Sequence, residues 1–148
     1  MKPAAFLDRD GTIIKDVDYM SSVDQIELFP WTIDALRLLG RAGFLRVVVT
    51  NQSAVARGIS TEEFVRASHE ELNRRLERGG AHIDAFYYCP HHPQGIVEQY
   101  RRTCRCRKPE PGMLEEAARD HPIDLSQSFM VGDRWLDVAT GTAGGVRS

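Results

Sequence analysis

Four short apolar runs alternate with stretches of helical periodicity along the 148-residue chain. The runs cover residues 4–7, 44–50, 85–89 and 128–133. The second is rich in β-branched residues, which is typical of a strand buried on both faces. Helical patterns begin at Pro30, at Ser60 and near residue 113. Strands that alternate with helices predict an α/β fold, in which one domain spanning residues 1–148 is built on a Rossmann-like, doubly wound parallel sheet.

Local signals predict where some of these elements end. Pro30–Trp31 suits the first turn of a helix. Ser60 and Glu63 match a capping box, which predicts the start of a second helix that would end at Gly79–Gly80. The sequence stops where a fifth strand is expected, so we expect this C-terminal strand to be short or missing.

The composition gives the chain no strong electrostatic preference. Hydrophobic residues make up 42% of the chain and charged residues 27%, and the formal net charge is −2. A nearly neutral chain has no general attraction to nucleic acid or to anionic membranes. No apolar run approaches the roughly 20 residues of a membrane span, and nothing at the amino end resembles a signal peptide. We therefore expect a cytoplasmic monomer with no nucleic-acid or membrane partner.

Polar residues stand where three of the predicted strands end. Asp8 and Asp10 follow the first strand, Thr50 and Asn51 close the second, and Asp133 ends the fourth. A single aspartate at such a place is most often a turn residue or a helix cap. Parallel strands, however, bring their carboxyl ends to one edge of the sheet. Clustered carboxylates repel one another unless a cation joins them, so the pattern predicts a Mg²⁺ site.

All three cysteines are clustered in the second half of the chain, with histidines between them. The candidate metal ligands are Cys89, His91, Cys104 and Cys106. Three thiolates and one imidazole form a complete tetrahedral set for a structural zinc ion. Cysteines are also small hydrophobic residues of protein cores, but four arginines in residues 101–107 disfavour burial of this loop. We predict a zinc-binding loop over about residues 89–108, in which His92 is not a ligand.

Four short motifs span the chain: DRDGT (Asp8–Thr12), TNQS (Thr50–Ser53), the lysine of RKP (Lys108) and GDRWLD (Gly132–Asp137). In order and spacing they resemble the motifs of haloacid dehalogenase-like phosphohydrolases. The resemblance implies that Asp8 attacks phosphorus and that Asp10 protonates the leaving group and then deprotonates water. Thr50 and Lys108 would bind the phosphoryl oxygens. Mg²⁺ would be held by Asp8, the backbone carbonyl of Asp10, and Asp133.

The segments between the motifs are too short for a cap domain, so the resemblance implies a capless haloacid dehalogenase-like fold with an open site. Asp137 would either orient Lys108 or a metal-bound water, or serve only as an acid at a helix start. Cys106 precedes Lys108 by two residues, so a zinc ion would fix the backbone that carries the lysine.

Three longer stretches of the sequence resemble one particular family within this large group of phosphohydrolases. YYCPHHPQG, CRCRKPEPGML and TNQSAVARG look like stretches of the D-glycero-D-manno-heptose-1,7-bisphosphate 7-phosphatases. That family implies hydrolysis of a sugar phosphate in heptose biosynthesis, with catalytic Mg²⁺ and structural Zn²⁺. A second substrate phosphate would pair with Arg107, and with Arg57 unless it is an ordinary surface arginine. The residues implied for substrate binding are Arg9, Asp16, Val17, Asp18, Tyr19, Asn51, Gln52, Ser53, Arg107 and Arg134.

Three alternatives share parts of this pattern. Histidinol-phosphate phosphatases have the same acids and a similar zinc loop, but a shorter one that lacks the HHPQG run. Polynucleotide 3'-phosphatases share TNQ and a KP…GM pattern, but they lack the zinc cysteines and present a basic face to DNA. A non-catalytic, zinc-stabilised interaction module would have no need to keep Asp8, Asp10, Lys108 and Asp133 together.

Overall fold

A four-stranded parallel sheet forms the centre of the computed structural model, which describes all 148 residues. The strands are β1 (Ala4–Leu7), β2 (Leu45–Asn51), β3 (Ala85–Cys89) and β4 (Phe129–Val131). Their order across the sheet is β3-β2-β1-β4. The chain therefore moves outward on one side of β1 and then crosses to the other side. This confirms the predicted doubly wound fold, and it places a topological switch point, where such sheets bind ligands, between β1 and β4.

Helices cover both faces of the sheet. The α-helices are α1 (Thr32–Arg41), α2 (Glu62–Arg78), α3 (Gly112–Asp120) and α4 (Trp135–Ala143). Short 3₁₀ turns lie at Val23–Gln25, Glu98–Tyr100 and Leu125–Gln127. None of the helices combines the length and the apolar character that crossing a membrane requires.

The alternation of side chains along β1 divides the core into two clusters. Leu7 belongs to the cluster that includes Leu36 of α1 and Leu72 of α2. Phe6 belongs to the other cluster, together with Leu114 of α3. Successive strand residues point to opposite faces, so helices on both faces leave all four residues of β1 buried. The buried sheet fixes the positions of the loops at its carboxyl edge.

The start of α2 differs from the prediction. Its N-cap is Thr61, whose hydroxyl accepts a hydrogen bond from the Phe64 backbone N–H at 3.1 Å. The predicted capping box at Ser60 and Glu63 is therefore wrong. Ser60 donates its own N–H to Ala54 O, 3.2 Å away, and so belongs to the preceding turn.

The carboxyl end of the chain lies beside β4. The N–H of Met130 donates to Arg147 O at 2.7 Å, and the N–H of Arg147 donates to Ser128 O at 3.1 Å. Only one parallel bridge, between Phe129 and Arg147, forms here. The strand predicted over residues 128–133 is shorter in the structure, because residues 132–133 turn away toward α4. The range of α4 was not predicted from the sequence, although one interpretation of Asp137 placed that residue at a helix start.

Candidate active site

An open cleft of about 540 Å³ lies at the carboxyl edge of the sheet, over the switch point. Most of the predicted catalytic and substrate residues line it. They are Asp8, Arg9, Asp10, Asp16, Asp18, Tyr19, Thr50, Asn51, Gln52, Ser53, Arg107, Lys108 and Arg134. Val17 does not line the cleft and packs against the core instead. Asp133 lies at the edge of the cleft, within the carboxylate cluster described below.

Asp8 lies at the floor of the cleft, directly after β1. Its backbone N–H donates to Val131 O at 3.0 Å, which ties the residue to β4. Its side chain is 9% exposed, and Lys108 Nζ donates to Oδ1 at 2.9 Å. Burial raises the pKa of the Asp8 carboxyl to about 6, although the charge and the hydrogen bond of Lys108 oppose the shift. The carboxylate is thus desolvated but paired with one cation, which suits a nucleophile.

Gly11 lets the chain turn immediately after the two aspartates. Its φ is 88°, in the left-handed region that favours glycine. A Cβ at this position would lie 2.2 Å from Asp133 Oδ2, so a side chain has no room. The turn is closed by hydrogen bonds from the N–H groups of Ile13 and Ile14 to Arg9 O. The close approach of this turn to Asp133 joins the loop after β1 to the loop after β4.

Three carboxylates gather at this junction. One oxygen from each of Asp8, Asp133 and Asp137 lies within 4.8 Å of the others. Asp137 is fully engaged by the protein, because Oδ1 accepts from Lys108 Nζ at 2.7 Å and Oδ2 accepts from the Arg134 N–H at 3.2 Å. Asp133 is exposed at the edge of the cleft. An all-oxygen set with a free carboxylate beside a buried one fits Mg²⁺.

Asp137 makes the contacts expected of both interpretations, an acid at a helix start and a residue that orients Lys108. It caps the start of α4 through the Arg134 N–H, and it also orients Lys108. Lys108 is only 4% exposed and bridges Asp8 and Asp137. The two carboxylates therefore hold the Lys108 ammonium in place at the floor of the cleft.

Asn51 holds the backbone of Lys108. Its Oδ1 accepts from the Lys108 N–H at 2.9 Å, and its Nδ2 donates to the Lys108 carbonyl at 3.3 Å. The side chain of Asn51 is thus engaged with the protein, in a positioning contact that was not predicted from the sequence. Its implied contact with substrate stays a prediction.

Asp10 is held by a second set of polar groups. Arg9 donates from Nε to Oδ1 at 3.0 Å and from Nη2 to Oδ2 at 3.1 Å. Gln52 Nε2 donates to Asp10 Oδ2 at 3.2 Å and to Thr50 Oγ1 at 2.9 Å. Arg9 and Gln52 thus hold residues predicted to be catalytic, and the substrate contacts that the resemblance implies for both stay predictions.

The four predicted zinc ligands converge beside β3. Cys89, His91, Cys104 and Cys106 present one ligand atom each within 4.8 Å of the others. The Cys89 and Cys104 sulfurs are 3.4 Å apart, and His91 Nδ1 lies 3.3 Å from Cys106 Sγ. The Cys89 and Cys106 sulfurs are only 2.7 Å apart, which is shorter than the roughly 3.7 Å edge of a tetrahedron with zinc–sulfur bonds of about 2.3 Å. The fit to a metal therefore rests on the identity and the convergence of the four donors. The donor set therefore fits zinc, with Nδ1 as the histidine donor.

Glu62 ties the cysteine loop to the scaffold. Its carboxylate accepts from the hydroxyls of Tyr88 on β3 and Tyr100 in the loop, both at 2.7 Å. His92 lies outside the cysteine cluster, where its Nδ1 accepts from the Gln94 N–H at 3.0 Å. The loop is thus joined to β3 and α2 independently of any metal.

Basic side chains surround the mouth of the cleft. Arg134 pairs with Asp16 at 3.3 Å and links the loops after β4 and β1. Arg57 lines the cleft as well. Arg107 has a buried Nε with no hydrogen-bond partner. A buried donor without a partner is costly, and an anionic ligand would satisfy it.

Comparison with known proteins decides the family. The chain is 47% identical over 144 residues to D-glycero-beta-D-manno-heptose-1,7-bisphosphate 7-phosphatase of Escherichia coli strain K12, covering 97% of this chain and 75% of that protein. The chain belongs to this phosphatase family.

Other members of the heptose-bisphosphate phosphatase family give the same result. The enzyme of Photorhabdus laumondii is 45% identical over 95% of this chain and 74% of its own length. The crystal structure of D,D-heptose 1,7-bisphosphate phosphatase from B. bronchiseptica, in complex with magnesium and phosphate, has a TM-score of 0.85 and 35% identity, covering 99% of this chain and 78% of that one. The HAD-hydrolase-like family model matches residues 105–148, which include Lys108 and the Asp133–Asp137 segment.

Proposed function

We propose that the chain is a Mg²⁺-dependent phosphatase that hydrolyses the 7-phosphate of D-glycero-D-manno-heptose 1,7-bisphosphate through an aspartyl-phosphate. The observation that carries the proposal is the buried Asp8 carboxylate at the floor of an open cleft, paired with Lys108 and beside two further carboxylates. Relatives more than 40% identical over nearly the whole chain bear the name of this activity.

In the first step an Asp8 carboxylate oxygen forms a bond to phosphorus as the bond to the sugar oxygen breaks. Asp10 gives its proton to the departing alkoxide. In the second step Asp10, now ionised, takes a proton from water, which attacks phosphorus and releases Asp8. The Lys108 ammonium and a hydrogen bond from the Thr50 hydroxyl stabilise the negative charge on the phosphoryl oxygens during both displacements.

The carboxylate cluster would hold the Mg²⁺ ion. Asp8, Asp133 and the backbone carbonyl of Asp10 are the proposed ligands, whereas Asp137 stays bound to Lys108. When bound, Mg²⁺ neutralises part of the charge that would otherwise keep a phosphate dianion away from the Asp8 carboxylate.

We also propose that the cysteine loop holds a structural Zn²⁺ ion. Its four donors leave no open coordination position, so the ion would have an architectural role. The loop leads directly into Arg107 and Lys108, and Asn51 fixes the backbone at that point. A rigid loop would therefore keep the lysine beside Asp8.

The substrate pocket would be formed by the loops around the cleft. Arg107, with its buried unpartnered Nε, is the proposed partner of the second phosphate, assisted by Arg57. Asp16, Asp18, Tyr19 and Arg134 would contact the sugar, because they line the cleft and the Asp16–Arg134 pair joins the two loops at the rim. The cleft is large enough for a small phosphorylated sugar.

The experiment measures phosphate release from both anomers of heptose 1,7-bisphosphate, from histidinol phosphate and from a 3'-phosphorylated oligonucleotide, with Mg²⁺ and with EDTA. We expect Mg²⁺-dependent release that is fastest with a heptose bisphosphate. Equal rates on all substrates would contradict the assigned substrate but leave a general phosphatase. No release from any substrate would contradict the enzyme and support an interaction module.

A further inference from the structure

A buried polar cluster lies behind Asp10, and the reaction described above does not use it. Ser68 and His69 lie on the face of α2 that packs against the sheet, and they are only 2% and 4% exposed. The other buried residues of this helix are Val65, Leu72 and Leu76. Polar side chains on an otherwise apolar, buried face need hydrogen-bond partners.

Both residues contact the guanidinium of Arg9, and the Ser68 hydroxyl also donates to Val65 O at 2.7 Å. Arg9 Nη1 lies 3.3 Å from His69 Nε2 and 3.4 Å from Ser68 Oγ. Arginine has no acceptor, so His69 Nε2 must accept, and the ring proton is on Nδ1. The His69 ring is stacked on Phe86 of β3, with ring centroids 4.4 Å apart and an interplanar angle of 13°. Packing and hydrogen bonding thus fix the ring in one orientation.

The opposite edge of the same guanidinium holds Asp10. Nε and Nη2 of Arg9 donate to the two carboxylate oxygens at 3.0 and 3.1 Å. The Arg9 side chain is 5% exposed and that of Asp10 is 25% exposed. The ion pair therefore extends from the protein interior, at Arg9, to the cleft, at Asp10. A guanidinium is planar and rigid, and constraining one edge sets the direction of the other.

We propose that His69 is a positioning residue for the acid/base step, because its hydrogen bond to Arg9 fixes the guanidinium that orients the Asp10 carboxyl. The inference rests on the proposed phosphatase activity and adds a residue that lies outside the cleft. Burial, and secondarily the charge of Arg9, lower the pKa of His69 to about 3, so the ring is a neutral acceptor near neutral pH.

The role has a kinetic signature that a purely structural residue would not give. A sugar alkoxide is a poor leaving group and needs the proton of Asp10, whereas 4-nitrophenolate or acetate leaves without one. Misorienting Asp10 should therefore reduce kcat/KM for the sugar phosphate more than for an activated phosphate. A general loss of folded protein would reduce both values equally.

The experiment compares three variants with the wild-type protein. His69→Leu removes the acceptor, His69→Gln keeps an acceptor oxygen, and Phe86→Leu removes the stacked ring while leaving the hydrogen bond. For each, kcat/KM is measured for heptose 1,7-bisphosphate and for 4-nitrophenyl phosphate or acetyl phosphate, whichever the wild-type protein hydrolyses faster. Thermal unfolding checks that each variant is folded. If His69→Leu does not fold, His69→Met replaces it, because it also lacks a nitrogen acceptor.

We expect His69→Leu to lose about tenfold more kcat/KM on the sugar phosphate than on the activated phosphate, a fraction of the full contribution of an acid/base group. His69→Gln should restore most of the difference, and Phe86→Leu should lower the unfolding temperature without changing the ratio. Equal losses on both substrates, or no loss, would overturn the role of His69. Absence of wild-type turnover on both substrates would instead contradict the phosphatase itself.

Discussion

The oxygen cluster around Asp8 lies at the cleft, whereas the sulfur cluster of the cysteine loop reaches the cleft only through Arg107 and Lys108, and the two clusters are built in opposite ways. Asp8 and Asp133 are far apart in the chain and meet because β1 and β4 are neighbours in the sheet. The sulfur cluster comes from one continuous stretch, residues 89–106, with only Cys89 on a strand. The first cluster is positioned by the hydrophobic core, whereas the second must supply much of its own order.

The two clusters meet at Lys108. Its ammonium lies between Asp8 and Asp137, while its backbone follows the cysteine loop and is held by Asn51. A change in the oxygen cluster should therefore alter chemistry with little effect on folding. A change in the sulfur cluster should alter both.

Replacing the nucleophile should give the largest effect. Asp8→Asn keeps the size of the side chain but removes the attacking oxygen anion, so kcat should fall about 10⁴-fold or more. The unfolding temperature should change little, because the same change removes a buried charge. Phosphate release and thermal unfolding measure the two effects, and Asp34→Asn on the exposed face of α1 is the control. Hydrolysis by Asp8→Asn at the wild-type rate would contradict the mechanism.

A matched pair of glycines tests how far the oxygen cluster depends on the turn after β1. Gly11 and Gly43 have nearly equal φ values, 88° and 87°, so alanine should strain the backbone similarly at both sites. The added Cβ would collide with Asp133 only at Gly11, since nothing lies within 4 Å at Gly43.

Gly11→Ala should therefore reduce kcat/KM about 10²-fold, as expected when catalytic groups are displaced by about 1 Å. It should also weaken Mg²⁺ binding, so that a higher Mg²⁺ concentration is needed for half-maximal activity. Gly43→Ala should lose only stability. Activity as a function of Mg²⁺ concentration, together with thermal unfolding, distinguishes the two. Equal activity losses in both variants would show that strain alone is responsible.

Breaking the sulfur cluster should affect folding as well as chemistry. Cys104→Ala should abolish zinc binding, lower the unfolding temperature by more than about 5 °C and reduce turnover about tenfold, because the backbone before Lys108 loses its support. Zinc content, unfolding and phosphate release are measured on the same preparation. His92→Ala, which lies outside the cluster, should retain zinc. A zinc-free Cys104→Ala protein with normal turnover would contradict the coupling.

The contrast also explains what the sequence could predict. Alternating strands and helices predicted the sheet, and strand ends predicted which acids would meet, because parallel topology forces those ends together. Short spacing predicted the cysteine cluster for the opposite reason, since its members are close along the chain. The contacts of Asn51 with Lys108 and of His69 with Arg9 were missed, because each joins residues of ordinary type across more than 50 positions. For the contact between His69 and Arg9, the only signal in the sequence was a histidine on the apolar face of α2.

Lowering the pH should destabilise the cysteine loop and the groups behind Asp10 for different reasons, and this effect on the free energy of unfolding is the smallest of those predicted. A zinc ion held by the cysteine loop would be lost as its thiolates are protonated, whereas the hydrogen bond that holds Arg9 behind Asp10 depends on a neutral His69 ring. The ring lies against the Arg9 guanidinium, the Phe86 ring and the Tyr88 ring. The pKa of His69 falls from 6.5 to about 3 on folding, so the unfolded chain takes up a proton that the folded chain does not. The contribution of His69 to stability is complete above pH 6.5 and declines as the pH falls toward 3.

His69→Gln removes this titration and leaves the zinc ligands unchanged. The free energy of unfolding of wild type should therefore fall relative to that of His69→Gln by about 1 kcal/mol between pH 7 and pH 5.5. Urea unfolding of both proteins at each pH gives the difference, in which the acid sensitivity of the shared zinc loop cancels. A difference that does not change with pH would mean that His69 titrates normally in the folded protein, and the ring could then not be the permanent acceptor that holds Arg9 behind Asp10.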